Sequence, residues 1–219
     1  MTILPQLENN KGLLSSALGK TLAAQALAGD QTILVEATGL LSHDDKNVRS
    51  GAAKIVELVA ETRPEWVAPY TCQLRAALEM PEAQTRWMAI HTLGLCASID
   101  PEAARLAFPK AQEFIQADSG VCLWDRTIVY LGYLGATSPG NLELVMPLLE
   151  MALKRIPEQT RTVLEAFQRC TYLADAGRLA RMEIYAAVYM QSAKPAVKAA
   201  AVKLHKRVMA ASGPAGHQN

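Results

Sequence analysis

Among the side chains that could ligate a metal or serve as nucleophiles are four cysteines and four histidines, and their spacing argues against both uses. Cys72, Cys96, Cys122 and Cys170 lie far apart, form no CxxC pair, and each falls in a segment of helical character. That pattern predicts reduced, buried thiols. His43, His91, His205 and His217 stand at no ligand spacing from one another or from a cysteine, so no zinc site is expected. No nucleophile elbow, phosphate-binding loop, dinucleotide fingerprint or metal motif occurs, and no cofactor is expected. The glycine pairs of YLGYLGAT read as points of close helix packing. What recurs instead is a cation. Val48-Arg49, Thr85-Arg86, Asp125-Arg126, Thr160-Arg161 and Val197-Lys198 follow one another at 37, 40, 35 and 37 residues.

The elements that carry this cation can be read around it. Three residues beyond it stands Ala52, Ala89, Val129, Leu164 or Ala201; six beyond, Ile55, Thr92, Gly132, Phe167 or Leu204; ten beyond, Val59, Cys96, Ala136, Thr171 or Val208. These positions share one helical face, and that face is mostly small or apolar. Pro69, Pro109 and Pro147 form a second periodic signal, 40 and 38 residues apart, each inside an apolar stretch of helical pattern. A helix-interior proline removes a hydrogen bond and clashes with the preceding turn, at a cost of about 3 kcal/mol, so three in register predict a kink that the architecture uses. Pro64-Glu65, Pro81-Glu82, Pro101-Glu102 and Pro157-Glu158 mark helix starts, and Asp100 and Ser138 are placed as N-caps.

Helix pairs are therefore predicted at about 30–42/45–61, 64–79/82–98, 101–117/120–136, 140–154/158–173 and 177–191/195–210. A cap helix precedes them at about 11–28. Residues 1–210 are expected to form one domain, with a disordered tail over 211–219. Composition agrees: half the residues are hydrophobic, only 5% are aromatic, and Ala and Leu are abundant, which favours helices over strands. No apolar run approaches the roughly 18 residues of a membrane span. The N-terminus lacks the basic and apolar regions of a signal peptide, so a cytoplasmic location is expected.

A two-helix unit of about 37–40 residues, with a kinking proline in its first helix, an aspartate in the turn and Val-Arg opening its second helix, resembles the HEAT repeat. The resemblance covers residues from about 30 to 210 and is closest over Leu40–Val59, through Asp44, Asp45, Val48, Arg49 and Ala52. The final unit departs from it, with no internal proline and Lys198 in place of arginine. The resemblance implies an all-α fold: a right-handed α-α superhelix, or armadillo-like solenoid, of about five HEAT-like helix pairs plus an N-terminal cap helix. It also implies that Asp45, Arg49, Arg86, Arg126 and Arg161 bond between neighbouring units as a structural ladder; a basic stripe for an acidic ligand is the alternative. Exposed pairs of this kind contribute about 0–1 kcal/mol each, so their use would lie in fixing the stacking angle.

HEAT-like arrays serve as scaffolds, adaptors and occasionally enzymes. The HEAT-like alkylpurine DNA glycosylases use tryptophans, an aspartate and an arginine, which Trp124-Asp125-Arg126 superficially echoes. Those enzymes need a strongly basic groove, because phosphate neutralisation dominates DNA affinity, and the net charge here is only +1. The expected function is thus a non-enzymatic scaffold or adaptor that binds a protein or peptide on its concave face. A DNA-binding protein or glycosylase and a small-ligand-binding solenoid are the alternatives.

Two surfaces are candidates for that partner. Residues 1–150 carry a net charge of −6 and residues 151–219 a net +7, with Lys198, Lys203, Lys206 and Arg207 on the last helix. An acidic partner, or head-to-tail association of acidic and basic ends, would use that asymmetry. The other candidate lies in columns one, five and eight residues beyond the cation. The outer units place charges there, Lys54 and Glu57 among them, as a solvated face should. The central units place Trp87, His91, Leu131 and Leu134 there, with Tyr130 and Tyr133 beside them, which predicts an apolar patch with an aromatic anchor.

Overall fold

The structure is a computed structural model and describes residues 2–10 and 15–213. Among them there is no strand, and helix follows helix: α1 (Leu4–Asn9), α2 (Ser15–Leu27), α3 (Thr32–Gly39), α4 (Lys46–Thr62), α5 (Pro64–Val67), α6 (Thr71–Ala77), α7 (Ala83–Leu95), α8 (Pro101–Arg105), α9 (Phe108–Gln116), α10 (Val121–Gly135), α11 (Pro139–Arg155), α12 (Thr160–Cys170), α13 (Ala176–Tyr189) and α14 (Pro195–Ser212). Among the described residues no helix is long and apolar enough to cross a membrane. The five recurring cations fall in α4, α7, α10, α12 and α14, each near the helix start. The periodic face beyond them is core: Ala52, Ile55, Val59, Ala89, Thr92, Cys96, Leu164, Phe167, Ala201 and Leu204 are all fully buried. Each buried Ile, Leu or Phe there removes enough apolar surface from water to stabilise the fold by about 1.5–3 kcal/mol. Val129 and Ala136, in the same register on and just after α10, are only half-buried.

The prolines act in two ways. At Pro69 and Pro109 the first helix of the pair is divided. A 3-10 turn over Ala68–Tyr70 carries Pro69 between α5 and α6, while α8 ends at Arg105 and α9 restarts with Pro109 in its first turn, where the missing N–H costs nothing. Pro147 stays inside a continuous α11. Helix starts are capped as their residue types require. The carboxylate of Asp45 accepts from the Asn47 N–H, Asp100 from Ala103, Asp175 from Arg178, and the Ser138 hydroxyl from Asn141.

The chain divides into two compact units, Met1–Tyr130 and Leu131–Asn219. In the first, α4 is the hub: α1, α2, α3, α5 and α7 all pack against it. The expected cap corresponds to α2, with residues 11–14 outside the described part of the chain. Helix α1 was not expected. It is held by Glu36, whose carboxylate accepts from the Ile3 N–H at 2.9 Å and the Leu4 N–H at 3.1 Å, satisfying amides that a helix start leaves unpaired. In the second unit α12 packs on α11 and α14, and α13 on α14. A Cβ added to Gly132 would lie 2.9 Å from the Cα of Ala166, and one on Gly135 would lie 2.6 Å from Val145. The glycines of YLGYLGAT therefore mark close helix approach. Helix α14 runs to Ser212, two residues past the expected end of the domain at 210; residues 214–219 lie outside the described part.

Candidate partner-binding surface

In the first unit the polar side chains of α4 and α7 meet across the helix interface. Arg49 is only 8% exposed. Its guanidinium donates to both oxygens of Glu82 at 2.7 Å, and its third nitrogen donates to the carbonyls of His43 at 2.6 Å and Asp44 at 2.9 Å. The planar fork of arginine suits this set, which a lysine could not fill. Burial pushes the Glu82 carboxyl up, but hydrogen bonds from Arg49 and Thr85 outweigh it and hold it below its ordinary value. One turn along, Ser50 and Thr85 hydroxyls are 3.2 Å apart. Further along the same seam lies Glu57, 2% exposed. Its Oε1 is 2.8 Å from Nδ1 of His91, and its Oε2 is 2.8 Å from Nζ of Lys54. Burial raises the Glu57 carboxyl and these two partners lower it by more, so it stays ionised. Exposed Glu61 stands one turn beyond Glu57, and carboxylate oxygens of both and a ring nitrogen of His91 all lie within 4.8 Å of one another.

This geometry corrects several expectations. Among the described residues one rung of the ladder is seen, at Arg49. Arg49 takes its acid from the next unit's Glu82, while Asp45 is occupied in capping its own helix. The Arg86 guanidinium lies 5.8 Å from the centre of the Phe114 ring, Arg161 pairs within its own helix with Glu165 at 3.0 Å, and Arg126 is half-buried. The central columns are largely core. Tyr130, Leu131 and Leu134 are fully buried, and His91 is 5% exposed where α7 packs against α4. Tyr130 donates its hydroxyl to the Ala104 carbonyl at 2.8 Å. Glu57, expected on a solvated face, is among the most buried charges described. Of the anticipated patch, Trp87 and Tyr133 are half-buried. Cys96 and Cys170 are buried as expected, with burial pushing both thiols up to about 12, but Cys72 and Cys122 are exposed. The Trp124 indole N–H donates to the Ala117 carbonyl at 3.1 Å, bracing the turn before α10.

In the second unit Arg169 lies 4.7 Å over the Tyr133 ring, a cation–π contact between α10 and α12. Gln168 donates to the Ala200 carbonyl at 2.9 Å, and Arg207 donates to the Gln168 carbonyl at 2.8 Å, tying α12 to α14. Lys198, Lys203, Lys206 and Arg207 are all exposed on α14.

No protein-family model matches the sequence, and no curated protein does. Solved structures do match in fold. A designed armadillo repeat protein superposes with a TM-score of 0.68 at 11% identity, over 88% of this chain and 92% of its own. The fold is an α-solenoid. A computationally designed armadillo repeat protein for modular peptide recognition matches at TM-score 0.67 and 11% identity, over 94% and 98% of the two chains. A third designed armadillo repeat protein, in complex with the peptide (KR)4, matches at 0.65 and 11%, over 94% and 100%. Two of the solenoid's second helices, α4 and α7, thus carry the polar seam from Arg49 to Glu61, and α7 also carries half-buried Trp87.

Proposed function

We propose that this chain is a non-enzymatic scaffold of the HEAT or armadillo kind that binds a protein or peptide across the exposed faces of its second helices. Two neighbours in fold, described as peptide-recognising or peptide-bound, support that class of partner. The observation that carries the reading in this chain is Trp87. Its side chain is half-buried on α7, one turn from His91, whose ring meets Glu57 on α4. A rigid aromatic beside polar groups is the usual anchor of an interface. The HEAT assignment within this reading draws on Asp44, Asp45, Val48 and Arg49, whose side chains and carbonyls build the turn and its single inter-unit rung. Free thiols on the surface at Cys72 and Cys122 suit a reducing, cytoplasmic setting. A second contact for an acidic partner, or for the acidic end of another copy, is the exposed row Lys198, Lys203 and Lys206 on α14.

Selection from a displayed peptide library, followed by titration of the enriched peptides, tests the assignment. Trp87→Ala should weaken binding by about 2 kcal/mol, roughly 30-fold, while leaving the helical circular dichroism unchanged. Binding that is indifferent to Trp87, or the absence of any enriched peptide, would remove α7 from the site.

A further inference from the structure

We infer that Glu57, Glu61 and His91 form a binding site for a single divalent transition-metal ion of the zinc class. Two of the three donors are buried, Glu57 at 2% and His91 at 5% exposure, and they come from different helices, so the site is fixed by the packing of α4 against α7. Glu57 and Glu61 are four residues apart on α4, hence on one face, and Glu61 reaches the pair from its solvent side. The three ligating atoms lie within 4.8 Å of one another. A tetrahedral zinc ion with bonds of about 2.0–2.2 Å needs donors roughly 3.3–3.5 Å apart. The buried pair, 2.8 Å apart, has to open by well under 1 Å, and exposed Glu61 has the freedom to close. One imidazole nitrogen and two carboxylate oxygens suit Zn²⁺, and the solvent side beside Glu61 leaves the fourth position for water.

The hydrogen bonds around Glu57 support this use. The Lys54 ammonium sits on Oε2, leaving Oε1 as the atom facing His91. A carboxylate held by one oxygen presents the other in a fixed direction, as the outer partners of metal ligands do. The ion takes the place of the hydrogen between Oε1 and Nδ1, that proton leaves to solvent, and the added positive charge is met by the Glu61 carboxylate. A site of this kind clamps α4 to α7 at the end of the seam opposite Arg49–Glu82, and it stands whether or not a peptide binds at Trp87.

The test is titration of the full chain, freed of metal by a chelator, with ZnCl2 in an isothermal calorimeter, with His ring proton resonances followed by NMR. One saturable site of micromolar or tighter affinity is expected, with the His91 ring signals shifting while those of His43 and His205 stay in place. Glu61→Gln, a surface change that leaves the buried pair intact, should weaken binding tenfold or more, and Glu61→His should restore it. No saturable binding, unshifted His91 signals, or equal affinity in Glu61→Gln would each overturn the assignment.

Discussion

Removing the imidazole of His91 should destabilise the first unit well beyond what its size suggests. In His91→Leu the volume is nearly kept, but Oε1 of Glu57 loses its 2.8 Å partner at a position only 2% exposed. A hydrogen bond to a charged group is worth about 1.5–3 kcal/mol, and breaking a buried ion pair about 3–5 kcal/mol. Lys54 still holds the other oxygen, so the lower part of that range applies, about 2–3 kcal/mol. Glu57→Leu/His91→Leu removes the stranded charge and should recover most of the loss, giving a coupling of about 1.5 kcal/mol or more. The measurement is a urea denaturation cycle of the four proteins. Its pH dependence has a definite sign. The folded carboxyl of Glu57 titrates below its ordinary value. Its contribution is therefore complete above the ordinary carboxylate pKa and is lost as pH falls through the lower folded value. The gap between wild type and His91→Leu should shrink under acid. A single-variant cost under about 0.5 kcal/mol at pH 7, or strict additivity in the cycle, would refute the reasoning.

Arg49→Lys should cost about 2 kcal/mol in the same denaturation assay, nearly as much as Arg49→Ala, since an ammonium cannot serve both Glu82 oxygens and two carbonyls at once. Gly132→Ala should lower stability by about 1–2 kcal/mol, overpacking against the Ala166 backbone outweighing the gain in helix propensity, whereas Gly39→Ala, with open space around the added methyl, should raise it by up to about 1 kcal/mol. Alkylation at pH 8 followed by mass spectrometry should label Cys72 and Cys122 rapidly and leave Cys96 and Cys170 protected until the protein unfolds, because burial holds those two thiols near 12.

The architecture was legible because its signals repeat. A cation opening an apolar face located all five second helices, and proline-acid starts located two first helices, at Pro64 and Pro101, and lay just before two second helices, α7 and α12. Each expected kink proline fell in its first helix, but whether the chain divides there, as at Pro69 and Pro109, or continues, as at Pro147, depends on tertiary packing. The site was less legible for a related reason. A sticky patch and a tightly stacked interface call for the same residues, so Leu131 and Leu134 could be read either way until the neighbouring helices were in place. Glu57 was misread because a charge in a periodic column is normally solvated, and its partners, three residues away and thirty-four away, have no local signature. The Arg49 rung was anticipated in kind, yet its acid came from Glu82, in the helix start of the following unit.

The bonds that tie second helices together also bear on how the chain reaches its native state. Glu57 to His91, Gln168 to Ala200 and Arg207 to Gln168 each join residues between 32 and 39 positions apart. Every one of these contacts can form as soon as one further helix pair has emerged, with no wait for distant sequence. Closing a loop of that length costs little more for the last pair than for the first, so folding should proceed rapidly and by accretion from a local nucleus. In the second unit α12 packs on both α11 and α14, whereas α13 packs on α14. Helices α13 and α14 should exchange their amide hydrogens before α12 does, opening from the terminus inward.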